Sequence, residues 1–350
     1  FLDKSNNRPQ EPAYPYPYHT EQIYFNNPGA NIKLAGTLSL PAKKGKFPAV
    51  ILISGSGPQD RNETIFDHKP FLVIADHLTK NGIAVLRYDD RGFGKSTGNF
   101  GTATTYDFST DVESAIEYLK SRPEINAEHI GLIGHSEGGL IAPMVAARSK
   151  DVDFIVLLAA PGINPNSLLI LQAEYIGRNA KIPEIELQKA KVTHTHFFET
   201  LRKKEDIETL KPELTGYAKD MYRYIPKEIL PPNMTEEDYI ASILAQFTSP
   251  WYRYILNYDP IKALEQVRCP VLALNGELDL QVPPTENLKG IAEALKRGGN
   301  TSVTIREYPK LNHLFQESTT GSLAEYKKIK QTFSPKVLDD ITGWVLNQVK

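Results

Sequence analysis

Apolar positions in this chain fall into two rhythms that alternate along most of its length. Gln22 to Phe25 and Ile32 to Leu40 alternate apolar with polar residues, the period of half-buried strands, and Ala49 to Ile53 is a continuous apolar run, as a parallel strand covered on both faces requires. Helix and strand patterns then follow one another: helix near Pro70 to Asn81, strand Ile83 to Tyr88, helix Thr110 to Ser121, strand Ile130 to Ile133, helix Gly138 to Ser149 and strand Phe154 to Ala159. A chain that alternates in this way predicts an α/β fold, a mostly parallel sheet with helices on both faces.

The alternation stops near Asn164. Residues 164–255 are helical in period and charged, are broken at Pro183, Pro212, Pro226 and the Pro231-Pro232 pair, and contain no convincing strand. It resumes with strand Val271 to Leu274, helix Glu286 to Arg297, strand Ser302 to Tyr308 and a final amphipathic helix Lys336 to Val349. The expected organisation is an extended Pro-rich arm over 1–18, a sheet-containing core over 19–163 and 256–350, and a helical cap inserted as 164–255.

Composition narrows the function classes. Forty Lys and Arg against forty-two Asp and Glu, a formal charge of -2, give no field suited to nucleic acid or an anionic membrane surface. The longest apolar runs, Ala49 to Ile53 and Phe154 to Ala160, fall far short of the roughly 20 residues of a spanning helix. The one cysteine, Cys269, can make neither an internal disulfide nor a metal cluster and reads as a small buried hydrophobe opening a strand. His194 and His196, two apart on a helical pattern, face different ways, which argues against a shared metal; the residues call for no metal and no cofactor. The chain opens on Phe1 without a basic-then-apolar segment, which predicts a trimmed product, and the Pro-rich arm leans toward a secreted or periplasmic precursor.

The chemistry concentrates in Gly134-His135-Ser136-Glu137-Gly138, a G-x-S-x-G pattern between an apolar strand and a helix. A sharp strand-to-helix turn lifts the Ser136 side chain above the sheet, and the flanking glycines leave room for the turn. A serine hydroxyl is a poor nucleophile near neutral pH, so it needs a histidine base and a carboxylate to orient that base. Asp279, just beyond strand Val271 to Leu274, and His313, beyond the strand ending at Tyr308, stand at the carboxyl ends of strands where an open parallel sheet carries its functional loops; Glu277 is the fallback acid. His135 is expected to point away beside the nucleophile. An acyl-transfer oxyanion needs backbone donors, one being the Glu137 amide after the nucleophile, the second from Ser54-Gly55-Ser56-Gly57-Pro58, with Ser56 favoured and Gly57 its neighbouring candidate. Gly94-Lys95-Ser96 invites a phosphate-loop reading, but Asp89 stands where that loop needs its first glycine; a structural turn in which Asp90 and Arg91 hold loops together is expected instead.

These motifs resemble the α/β-hydrolase superfamily, and within it the capped serine esterases and serine-peptidase-like hydrolases. The resemblance runs from about Glu21 to Lys350 and is carried by Gly134 to Gly139, the Asp90 to Ser96 loop, Gly276 to Asp279 and Asn312-His313. It implies an α/β-hydrolase fold with an eight-stranded type of sheet, Ser136 as nucleophile, Asp279 as triad acid, His313 as base, and Ser56 with Glu137 as oxyanion donors. Ser54 to Arg61 departs from the His-Gly of many relatives and is similar to a bacterial group of capped esterases. The function expected is hydrolysis of a small-molecule carboxylic ester with a short acyl chain; a peptidase or thioesterase using the same residues, and a silent binding module, are the alternatives. Of the aromatics in the cap, including Tyr175, Phe197, Phe198 and Tyr217, most are expected to form its own core. Trp251 and Arg253, at the return to the sheet, are the expected substrate contacts; oligomeric state is left open.

Overall fold

A computed structural model describes residues 8–202, 206–224, 230 and 233–350. Pro226 and the Pro231-Pro232 pair, expected as breaks in the cap, lie outside the described residues. In chain order the elements are β1 (His19–Asn27), β2 (Ile32–Leu40), β3 (Phe47–Ile53), α1 (Pro70–Lys80), β4 (Ala84–Tyr88), α2 (Thr105–Lys120), β5 (Ile125–His135), α3 (Gly138–Ala146) and β6 (Phe154–Leu158). They continue with α4 (Pro165–Asn179), α5 (Glu184–Arg202), α6 (Ile207–Tyr224), α7 (Glu236–Phe247), α8 (Pro250–Asn257), α9 (Pro260–Leu264), β7 (Val271–Gly276), α10 (Pro284–Arg297), β8 (Val303–Tyr308), α11 (Leu323–Tyr326) and α12 (Pro335–Gln348).

The strands form one eight-stranded sheet in the order β1-β2-β4-β3-β5-β6-β7-β8. β1 and β2 make an antiparallel hairpin, β2 pairs antiparallel with β4, and every later pairing is parallel. The continuous apolar runs follow from this, because alternate residues of a central strand face opposite layers. Ala49, Ile51 and Ile53 of β3, Ile155 and Leu157 of β6, and Val271 and Ala273 of β7 pack with α2, α3 and α10. Val50 and Leu52, Val156 and Leu158, and Leu272 and Leu274 pack with α1 and α12. Two elements start five residues earlier than the apolar pattern suggests. α2 begins at Thr105 rather than Thr110: in its polar first turn the Ser109 and Thr110 hydroxyls bond back to the Tyr106 and Asp107 carbonyls at 2.6 and 2.7 Å. β5 begins at Ile125, with a register irregularity against β3 and a polar stretch that is largely exposed.

The chain divides into two units, the sheet unit (Tyr106–Asn164, Asp259–Lys350 and the chain up to Phe100) and a helical unit, Gly101–Thr105 with Pro165–Tyr258. The helical unit therefore reaches past residue 255, because Leu256 of α8 packs in its core with Phe197, Phe198, Leu214, Tyr217, Phe247 and Tyr252. Phe197 and Tyr217 stack with ring centroids 3.8 Å apart within this core. The described part of the N-terminal arm is not a loose linker: buried Arg8 donates to the carbonyls of Phe66, Asp67, Lys327 and Ile329, and Gln10 bonds the backbone of Thr332 and Phe333.

Asp90 and Arg91 do hold loops together. Arg91 lies bidentate on Asp111 at 2.7 and 2.8 Å, and Asn27 donates to the same carboxylate at 2.8 Å. Burial pushes the Asp111 carboxyl up while the Arg91 hydrogen bonds pull it down. Arg91→Ala leaves that carboxylate buried without its cation, so urea unfolding is expected to show a loss of about 3–5 kcal/mol; a loss within experimental error would mean that the pair is incidental.

Candidate active site

The turn between β5 and α3 carries Ser136 at φ 53, a left-handed conformation that a non-glycine residue holds only when its surroundings enforce it. The enforcement is visible: Ser136 N–H donates to the Leu158 carbonyl and its own carbonyl accepts from Gly139 N–H, both at 2.9 Å. A Cβ on Gly134 would come within 2.0 Å of the Gly138 carbonyl oxygen, and one on Gly138 within 2.1 Å of the Ile53 carbonyl oxygen, so both positions require glycine. Glu137 caps α3 immediately after Ser136, where the positive end of the helix dipole lies.

His313 sits on the loop after β8 and Asp279 on the loop after β7, both buried. His313 Nδ1 lies 2.7 Å from Asp279 Oδ2, and Asp279 Oδ1 accepts from the amides of Gln281 and Val282 at 2.8 and 2.9 Å. Glu277 does not compete: it is exposed and accepts from the Lys310 amide at 2.9 Å.

Two contacts bring these loops to Ser136. A Cβ on Gly55, in the loop after β3, would lie 3.2 Å from the Ser136 Cβ, so that loop passes directly beside the nucleophile candidate. His135, the residue before it, stacks obliquely on His313 with centroids 4.8 Å apart and bonds the His313 carbonyl through Nε2 at 3.1 Å. His135 therefore does not point away from the candidate site; it faces the loop of His313, and its other ring nitrogen is captured by buried Glu63 at 2.9 Å. Sequence reasoning passed over Glu63, whose only signal is a place in a polar loop following an apolar strand.

Ser56 is exposed in the same loop as Gly55, whose amide donates to Glu63 at 2.7 Å. Asp90 fastens this loop from two sides, accepting from Ser54 Oγ at 2.8 Å and from the Gln59 amide at 2.9 Å. Burial pushes the Asp90 carboxyl up to about 8; the Gln59 and Ser54 hydrogen bonds oppose this, and nearby Glu137 and Glu63 add to it. Trp251 and Arg253 belong to α8 of the helical unit, where Trp251 packs against the aromatic core and meets the Tyr252 ring at 5.7 Å. Among the described residues no group of three His, Cys, Asp or Glu side chains could hold a metal ion, and no helix is long and apolar enough to cross a membrane.

Models of known families match the chain in two stretches: the serine aminopeptidase, S33, model over residues 69–222, and that of the prolyl oligopeptidase family over residues 222–339. Esterase EstD of Thermotoga maritima is 26% identical over 89% of this chain and 65% of its own length. Acyl-coenzyme A thioesterase 1 of Mus musculus is 28% identical over 36% of this chain and 27% of its own. The chain thus spans less than two thirds of either relative. The solved structure of the Pyrococcus furiosus esterase Pf2001 superimposes with a TM-score of 0.58 at 17% identity, covering 98% of this chain and 97% of that one, a likeness of fold.

Proposed function

The chain is a member of the α/β-hydrolase superfamily, among its serine esterase and serine-peptidase-like members, and we propose that it hydrolyses carboxylic esters through an acyl-enzyme on Ser136. The observation that carries the reading is the 2.7 Å bond between His313 Nδ1 and Asp279, beside a serine held at φ 53. With Nδ1 engaged, His313 offers Nε2 as the base that takes the Ser136 proton while the hydroxyl attacks the ester carbonyl. Asp279 fixes the tautomer and balances the imidazolium. The amides of Ser56 and Glu137 donate to the oxyanion, the latter from the start of α3 where the helix dipole favours negative charge. The tetrahedral intermediate collapses, His313 gives its proton to the departing alcohol, and water activated by the same base releases the acid.

The substrate in this reading is a small-molecule ester with an acyl chain at the short end of the series, contacted by Trp251 and Arg253 of the helical unit. The likeness to EstD favours an oxygen ester. The match to an acyl-coenzyme A thioesterase over part of the chain supports a second reading, a thioesterase with the same machinery.

The test is turnover of p-nitrophenyl esters from acetate to decanoate, alongside acetyl-coenzyme A, with a fluorophosphonate label located by mass spectrometry. Turnover highest on the shortest esters and a label on Ser136 are expected. A higher kcat/KM on the thioester moves the assignment to the second reading, and folded protein with neither turnover nor label sinks both.

A further inference from the structure

A second carboxylate–imidazole pair, Glu63 with His135, lies beside the reacting residues, and the reaction as proposed does not use it. Glu63 Oε1 meets both the Gly55 N–H at 2.7 Å and His135 Nδ1 at 2.9 Å, and His135 Nε2 lies 3.1 Å from the His313 carbonyl oxygen. The two side chains are 3% and 7% exposed, so water does not stand in for a missing partner. A carbonyl oxygen can only accept, which puts a proton on Nε2; a carboxylate oxygen also accepts, which puts one on Nδ1. With Glu63 as the carboxylate, both ring nitrogens donate and His135 is an imidazolium.

The surrounding charges point the same way. Burial disfavours the imidazolium, but the charge and hydrogen bond of Glu63, then the His313 carbonyl and Asp279, outweigh it and raise the His135 pKa above its ordinary value. The titratable neighbours are His313 and Asp279 on the base and acid loops, and Asp90 beyond Glu63. Each end of the pair grips a different part of the site: Gly55 in the loop after β3, His135 at the end of β5, and the backbone of His313 after β8.

We propose that the Glu63–His135 ion pair is a positioning device that locks the oxyanion loop, the nucleophile turn and the base loop into one reactive register. The proposal rests on Ser136, His313 and Asp279 being the reacting residues. Its leverage comes from geometry: a misplacement of about 1 Å in a reacting group costs on the order of 10²-fold in rate.

The test pairs Glu63→Met with His135→Phe, which exchanges the ion pair for apolar side chains, a replacement that buried pairs often tolerate without loss of fold. Circular dichroism and thermal unfolding verify that the double variant is folded. Its kcat on p-nitrophenyl acetate is expected to fall about 10- to 100-fold with KM changed by less than about threefold, because register and not substrate binding is lost. Glu63→Gln is expected to lose less, since its carbonyl oxygen, in the place of Oε1, can still accept from both the Gly55 amide and Nδ1–H. Ring-nitrogen NMR of the wild type near neutral pH is expected to show His135 protonated on both nitrogens.

A folded double variant with wild-type kcat overturns the proposal, as does a neutral His135 ring. Failure of the underlying reading looks different: the wild type itself then neither turns over the ester nor takes the fluorophosphonate on Ser136, and the proposal falls with it.

Discussion

Ser136→Ala is expected to lower kcat on p-nitrophenyl acetate by about 10³- to 10⁶-fold and to leave the unfolding midpoint within a few degrees of wild type. The two halves of this expectation have separate causes. In the proposed reaction alanine removes the oxygen that forms the acyl-enzyme, so any residual rate must come from water attacking a carbonyl polarised by the proposed oxyanion donors, which elsewhere sustains about 10³–10⁴-fold over the uncatalysed reaction. The fold is spared because what holds the turn is backbone: the Ser136 amide to Leu158, the Gly139 amide to Ser136, and the close approach of Gly134 and Gly138. Alanine keeps all of these and is no worse than serine at φ 53. A folded Ser136→Ala with wild-type kcat would remove Ser136 from the mechanism and return the G-x-S-x-G turn to a structural role.

What could be read from the sequence is what local pattern and chain order determine. The runs Ala49 to Ile53 and Phe154 to Leu158 announce strands buried on both faces because no polar residue interrupts them, and the sheet covers both faces. Ser136, Asp279 and His313 are legible as candidates because each follows a strand of a parallel sheet at its carboxyl end, a rule of topology that needs no coordinates. Contacts between distant loops were not legible. Glu63 meets His135 across 72 positions, and no periodicity marks a carboxylate that will be buried there. Arg8 in the Pro-rich arm is held by carbonyls more than three hundred residues away as well as by nearer ones, contacts that an extended arm does not announce. The early start of α2 was hidden for another reason: Ser109 and Thr110 satisfy their hydroxyls on the helix itself, so polar residues extend a helix that apolar spacing cannot see.

Asp279→Asn separates orientation from presence, and its expected effect on kcat is a loss of about 10⁴-fold with the fold intact. Asp279 uses its oxygens differently: Oδ1 takes the Gln281 and Val282 amides, while Oδ2 takes His313 Nδ1. Asparagine supplies one oxygen, which stays with the two amides, and so it turns its NH₂ toward the imidazole. Two donors cannot face each other, so His313 must give up the proton on Nδ1 and carry it on Nε2, the nitrogen that in the proposed reaction has to accept from Ser136. The ring remains in place, in the wrong tautomer, and substrate binding is expected to change little, placing the loss in kcat rather than KM. Glu277→Gln is the discriminating companion, because the Glu277 side chain is exposed and accepts from the Lys310 amide, and it is expected to keep wild-type kcat. If Glu277→Gln lost the activity and Asp279→Asn kept it, the acid would be Glu277, and the 2.7 Å bond to His313 would serve structure alone.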